Sequence, residues 1–145
     1  MIHDRDTERA VLASCILFGA GAYEQVAQVL TADHFSSTSH QNIWKAIARA
    51  ARSGAVDTTL VQAELPAAMV PELDALATVI PSLKNLDEHA HRVRDTAVAR
   101  NLATAAGKIY ADGKNGPESI REYMETAEST IAETLKGRAP EVQGM

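Results

Sequence analysis

Five histidines, one cysteine and two Gly-Lys pairs are the residues of this sequence that invite a chemical reading. His89 and His91 lie two apart on an expected helix, about 200° around it. They cannot share one metal's ligand sphere, which needs donors converging from one side. His34 and His40 flank a short polar segment with no cysteine or paired carboxylate at ligand spacing. His40 therefore reads as a structural hydrogen-bonding residue near a helix start. Cys15 stands alone between Ser14 and Ile16, which excludes an intrachain disulfide and suits a small buried hydrophobe. Gly107-Lys108 and Gly113-Lys114 lack the glycine spacing and the preceding strand of a phosphate cradle. No Gly-x-Ser-x-Gly turn presents a nucleophile. The expectation is a chain that is not an enzyme, with no catalytic residues, no cofactor and no metal.

Charge and hydropathy narrow the partners. A formal net charge of −5 opposes general attraction to DNA phosphates, so little direct DNA binding is expected. Arg92, Arg94, Arg100 and Lys108 are interleaved with Asp87, Glu88 and Asp95, which suits a solvated face. No apolar run approaches the roughly 20 residues of a membrane span. The N-terminus, Met1 to Asp6, lacks the apolar core of a signal peptide. A cytoplasmic protein with no membrane contact is expected.

The elements that must position these residues are helices. Apolar residues recur at helical spacing and no long alternating segment suggests a sheet. A first helix starts at Asp6 or Thr7, with a stripe of Ala10, Val11, Ser14, Cys15 or Ile16, Leu17 and Phe18, and ends at Gly19 and Gly21. A second carries Tyr23, Val26, Val29 and Leu30. A third buries Ile43, Trp44, Ile47, Ala48 and Ala51 and stops at Gly54. Asp57 caps Thr58 to Leu65. Pro71 opens a short helix with Leu73, Leu76 and Ile80 inward, closed by Pro81. Asn85 to Glu88 resembles a capping box and opens a helix to about Asp112. Gly113 to Pro117 is a turn, and a last helix runs from Pro117 to Leu135.

The fold class is all-α: a compact multi-helix head over 1–95, then a two-helix antiparallel hairpin over 96–136. Residues 137–145 read as a tail or the start of a linker. In the hairpin, Val98, Leu102, Ala105, Ala106 and Ile109 share one face. Ile120, Met124, Ala127, Ile131 and Leu135 share another, at spacings of 4, 3, 4 and 4. A lone hairpin has little to bury, because helices draw most of their stability from tertiary packing. It is expected to dock on its own head or on another copy. That makes Val98, Leu102, Ala105, Ile109, Ile120, Met124, Ile131 and Leu135 candidates for a self-association interface in a dimer or higher oligomer.

Four blocks, in order, resemble one family. Thr7 to Leu17 is similar to "Glu-x-x-Val-Leu-Gly-x-x-Leu", with Ala13 for the glycine. Leu30 to Ile47 follows "Leu-x-x-x-Asp-Phe-x…His-x-x-Ile-(aromatic)-x-Ala-Ile" through Asp33, Phe35, His40, Ile43, Trp44 and Ile47. Gly54 to Val61 is like "Gly-x-x-Ile-Asp-x-x-Thr-Val". Asn85 to Leu102 matches "Asn-x-x-x-Tyr-Ala-x-x-Val" with His89 for the tyrosine, then Arg100 and Leu102. The pattern resembles the N-terminal collar domain of DnaB-type replicative DNA helicases. Between Leu65 and Ile80 the family's Gly-Gly-x-x-Tyr-Leu element is replaced, which implies a phage, plasmid or otherwise atypical member.

The resemblance implies that Leu12, Phe35, His40, Ile43, Trp44 and Ile47 form the signature of the head core. It implies self-association and docking of primase or a helicase loader. The ATP-dependent motor of the parent family is expected to be absent from this chain. An alternative is a stand-alone collar mimic that binds a host replicative helicase and regulates or blocks it.

Overall fold

Seven α-helices and two single 3-10 turns make up residues 1–140, the part that the structure, a computed structural model, describes. No strand occurs among the described residues, so the chain is all-α. Of the expected tail, 141–145 lie outside the described residues.

The first helix, α1 (Arg5–Phe18), begins one or two residues before the expected start at Asp6 or Thr7. Asp4 caps it, its Oδ1 accepting from the Thr7 backbone N–H at 3.1 Å. Its fully buried residues include Glu8, Val11, Leu12 and Cys15, at steps of 3, 1 and 3. Leu17 and Phe18, expected inside, are exposed. The buried stripe follows the 3.6-residue period from Glu8, and those two positions turn away from it. Gly19, at φ 87, lets the chain reverse into α2 (Ala20–Ala27).

A 3-10 turn at Ala32–His34 leads to buried Phe35, then to α3 (Thr38–Arg52). Ser37 caps α3, its hydroxyl oxygen accepting from the His40 N–H at 3.1 Å. Asp57 caps α4 (Thr58–Ala63) as expected, through Leu60 N–H at 2.8 Å. A second 3-10 turn at Ala67–Met69 precedes α5 (Val70–Leu76). The short helix ends before Ile80, which is 91% exposed rather than inward. Ile80 directly precedes Pro81, and the proline ring disfavours helical backbone at the residue before it.

The longest helix is α6 (Leu86–Lys114), 29 residues. Asn85 makes no side-chain cap bond, so the expected capping box does not form. Ser119 instead of Pro117 starts α7 (Ile120–Leu135), accepting from Glu122 N–H at 3.2 Å. A serine hydroxyl reaches a free N–H of the first turn, which proline has no side-chain acceptor to do.

The core sits around α1, which packs on α2, α3, α5 and α6. Phe35 and Trp44 stack at 5.4 Å and Trp44 and Tyr23 at 5.0 Å, both tilted. Each such pair contributes about 1 kcal/mol beyond its area burial. Leu86, Ala90, Val93 and Ala97 bury one face of α6 in the head. Past Val98 the helix has no fully buried residue, and α7 has none. Head and hairpin are thus joined by one continuous helix. They differ by burial, and no break in the chain divides them.

Candidate interaction surfaces

His40 is 1% exposed and lies between two carboxylates from two other helices. Its Nδ1 meets Glu8 Oε1 of α1 at 2.7 Å, and its Nε2 contacts Glu72 Oε2 of α5. Carboxylates only accept, so both contacts are hydrogen bonds when the ring carries a proton on each nitrogen. Glu8 also accepts the Ser36 N–H at 3.1 and 3.2 Å. Glu72 accepts a forked pair from Arg9, Nε at 2.9 Å and Nη2 at 3.1 Å. Two carboxylates, a guanidinium and an imidazole therefore meet in one network that ties α1, α3 and α5.

The carboxyl groups record this arrangement. Burial pushes Glu8 upward, but hydrogen bonds from His40 and Ser36 outweigh it and hold Glu8 below its usual value. The Arg9 hydrogen bonds dominate at Glu72 and lower it, against a smaller opposing effect of burial, with His40 adding to the lowering. His40's place near a helix start marks it as a structural hydrogen-bonding residue, and the structure adds its partners, Glu8 and Glu72. A signal for Glu8 was available: it shares the face of Val11, Leu12 and Cys15, where an unpaired carboxylate would be costly. Glu72 carries no comparable signal, since it stays partly exposed beside Pro71 at the start of a short helix.

Leu12, Phe35, His40, Ile43, Trp44 and Ile47 are all buried in the head. They hold it together from within and present little surface to a partner.

The hairpin has two distinct apolar faces. Its inner seam brings half-buried Leu102, Ala105 and Ile109 of α6 toward half-buried Tyr123, Ala127, Thr130 and Thr134 of α7. Tyr123 Oη donates to the Ile109 carbonyl at 2.6 Å across the seam. At its open end Val98 Cγ2 lies beside Gly137, and Leu135 is half-buried. Ile120, Met124 and Ile131 stay 72%, 57% and 39% exposed. Met124 follows Tyr123 by one residue, about 100° around the helix. Ile120, Met124 and Ile131 are therefore rotated off the seam and left uncovered, while Ala127 and Leu135 of the expected stripe are half-buried.

The arginines that could have formed a basic patch are used within the fold. Arg92 pairs with Asp4, Arg94 donates to the carbonyls of Gly137 (2.8 Å) and Val29 (3.1 Å), and Arg100 donates to those of Ile2 (3.1 Å) and His34 (3.3 Å). Lys108 pairs with Asp112 along its own helix. No helix among the described residues is long and apolar enough to cross a membrane.

Comparison with known proteins places this arrangement. Residues 1–95 match a family model described as the DnaB-like helicase N terminal domain. Replicative DNA helicase DnaC of Bacillus subtilis is 29% identical over 139 residues, covering 90% of this chain and 30% of that protein. Replicative DNA helicase DnaB of Treponema pallidum is 28% identical over 145 residues, covering 94% and 33%. The chain thus spans about a third of the length of these curated relatives. The crystal structure of the N-terminal domain of DnaB helicase from Mycobacterium tuberculosis superposes with a TM-score of 0.78 at 26% identity, over 91% of this chain and 98% of that one. A DnaB-like replicative helicase whose structure was described with its interactions with primase shares the fold. Its TM-score is 0.70 at 21% identity, over 98% of this chain and 33% of that one.

Proposed function

Because the chain belongs to the DnaB-like helicase N-terminal domain family, we propose that it is a collar module of the replication machinery that self-associates through its hairpin and docks primase or a helicase loader. The chain contains an N-terminal domain of that family and no ATPase domain, so its own contribution is to hold partners together. The observation that carries this reading is the uncovered stripe Ile120, Met124 and Ile131 on α7. Exposed apolar side chains at helical spacing, beside a seam that uses the adjacent face of α7, need a second surface to bury them. A two-fold copy supplies one, since the same stripe then serves both partners. The head, closed by its aromatic stack and the His40 network, gives a rigid face for a replication partner. A DnaB-like relative's recorded interaction with primase supports that choice of partner.

Size exclusion with light scattering tests it, run with and without primase from the same source. Alone, the chain elutes as a multiple of its 15.5 kDa. Primase shifts the peak to a larger complex. Met124→Asp and Ile131→Asp, both on the exposed stripe, each return the chain to monomer. Wild-type monomer throughout, with no shift on adding primase, overturns the proposal.

A further inference from the structure

A groove on the head lies away from the hairpin stripe. Its walls are the C-terminal half of α1, the start of α4, and α5 with the segment after it, and it encloses roughly 480 Å³. Ile16, Leu17, Leu73 and Val79 give it an apolar floor. Its only charged lining residues are two carboxylates, Asp57 and Asp74. Asp74 makes no side-chain hydrogen bond or ion pair among the described residues, and Asp57 uses only Oδ1, as the α4 cap. Ile80, between the lining residues Val79 and Pro81, and Leu60, two residues past Thr58, are exposed.

We infer that this groove receives an amphipathic helix of another protein, with apolar anchors at helical spacing flanked by lysine or arginine. The apolar floor takes the anchors, as in helix-in-groove recognition. The carboxylates select the charge of the flanks, since complementary potential at a rim sets specificity and encounter rate. A second copy's α7 has an apolar stripe but fits badly, because it carries Glu122, Glu125, Glu128 and Glu133 against Arg121 alone. Its approach would set carboxylate against carboxylate. This inference does not rest on the hairpin reading, since none of the groove's lining residues lies on α6 or α7.

The test is a phage-displayed library of helical peptides about 18 residues long, roughly 27 Å of helix, selected on the 145-residue chain. Selected peptides are expected to pair Leu, Ile or Phe anchors with Lys or Arg flanks. They should shift the amide resonances of Leu17, Ala77 and Val79. Asp74→Lys should weaken binding about tenfold and steepen the loss with salt. Ala77→Phe, which fills the groove from an exposed position, should weaken it similarly. Ile131→Asp should bind the peptide as wild type does, which separates this outcome from failure of self-association. The inference is overturned by any of four results: no enrichment, enrichment without basic flanks, binding indifferent to both groove variants, or groove amides that move with protein concentration alone. The last would name a second copy as the occupant.

Discussion

Glu8 and His40 place polar groups where water does not reach, and that costs stability unless each is met. Here each is: Glu8 by His40 and the Ser36 N–H, and His40 in turn by Glu72, whose other partner is Arg9. Removing one member strands the rest. His40→Ala should cost about 3–5 kcal/mol in urea unfolding, a large share of a typical domain's total. Glu72→Gln should cost less, because the Glu72 side chain is 20% exposed and water can replace part of what is lost. The pH dependence has a definite sign. Both carboxyls titrate below their ordinary 4.5 when folded, so the unfolded chain takes up protons first as pH falls. Their contribution is complete above about that value and is lost as pH drops through the folded values. The melting-temperature gap between wild type and Glu8→Gln should therefore close progressively below pH 4.5. Cys15, with its thiol pushed up to about 12 by burial, should resist alkylation at pH 8 until the chain unfolds. At this scale the sequence exposed His40 by its place near a helix start. It hid the carboxylate on α5, because that contact depends on how three helices converge.

The helices themselves were legible where local rules decide them. Asp57 capped α4 as its type and position required, while Asn85 did not cap α6 and Ser119 displaced Pro117 as the start of α7. Capping residues compete within a few positions, and tertiary placement selects the winner. The stripe of α7 was readable as periodicity, but its direction was not. Periodicity reports that a face is apolar, and only packing shows that Tyr123, one residue away, meets α6 instead. Two glycines of α6 separate these effects. Gly107 has nothing within 4 Å of an added Cβ, so Gly107→Ala should stabilise the chain by about 0.5–1 kcal/mol through helix propensity. At Gly113 the new Cβ would stand 2.6 Å from Tyr123 Oη, and the hydrogen bond to Ile109 would be displaced. That loss of about 1 kcal/mol cancels the same gain, so Gly113→Ala should leave the helical melt near wild type. Circular dichroism melts of the two variants side by side check the contrast.

As a whole the molecule is a closed head with an open extension. The head satisfies its own core, its buried charges and most of its arginines, and α6 carries the chain out of it without a break. What the extension lacks is a cover for the outer stripe of α7. Family membership and fold were legible from four ordered sequence blocks, because those blocks are the residues that close the head. A surface that works only on meeting another molecule leaves a fainter trace, since nothing within the chain constrains it. The central claim is that another copy supplies the cover. Sedimentation equilibrium of the full chain, from low micromolar to hundreds of micromolar, measures this directly. The account predicts a mass at least twice 15.5 kDa for wild type and 15.5 kDa for Ile131→Asp, with identical circular dichroism. Wild type at 15.5 kDa across the whole range, or an unchanged oligomer in the variant, would contradict it.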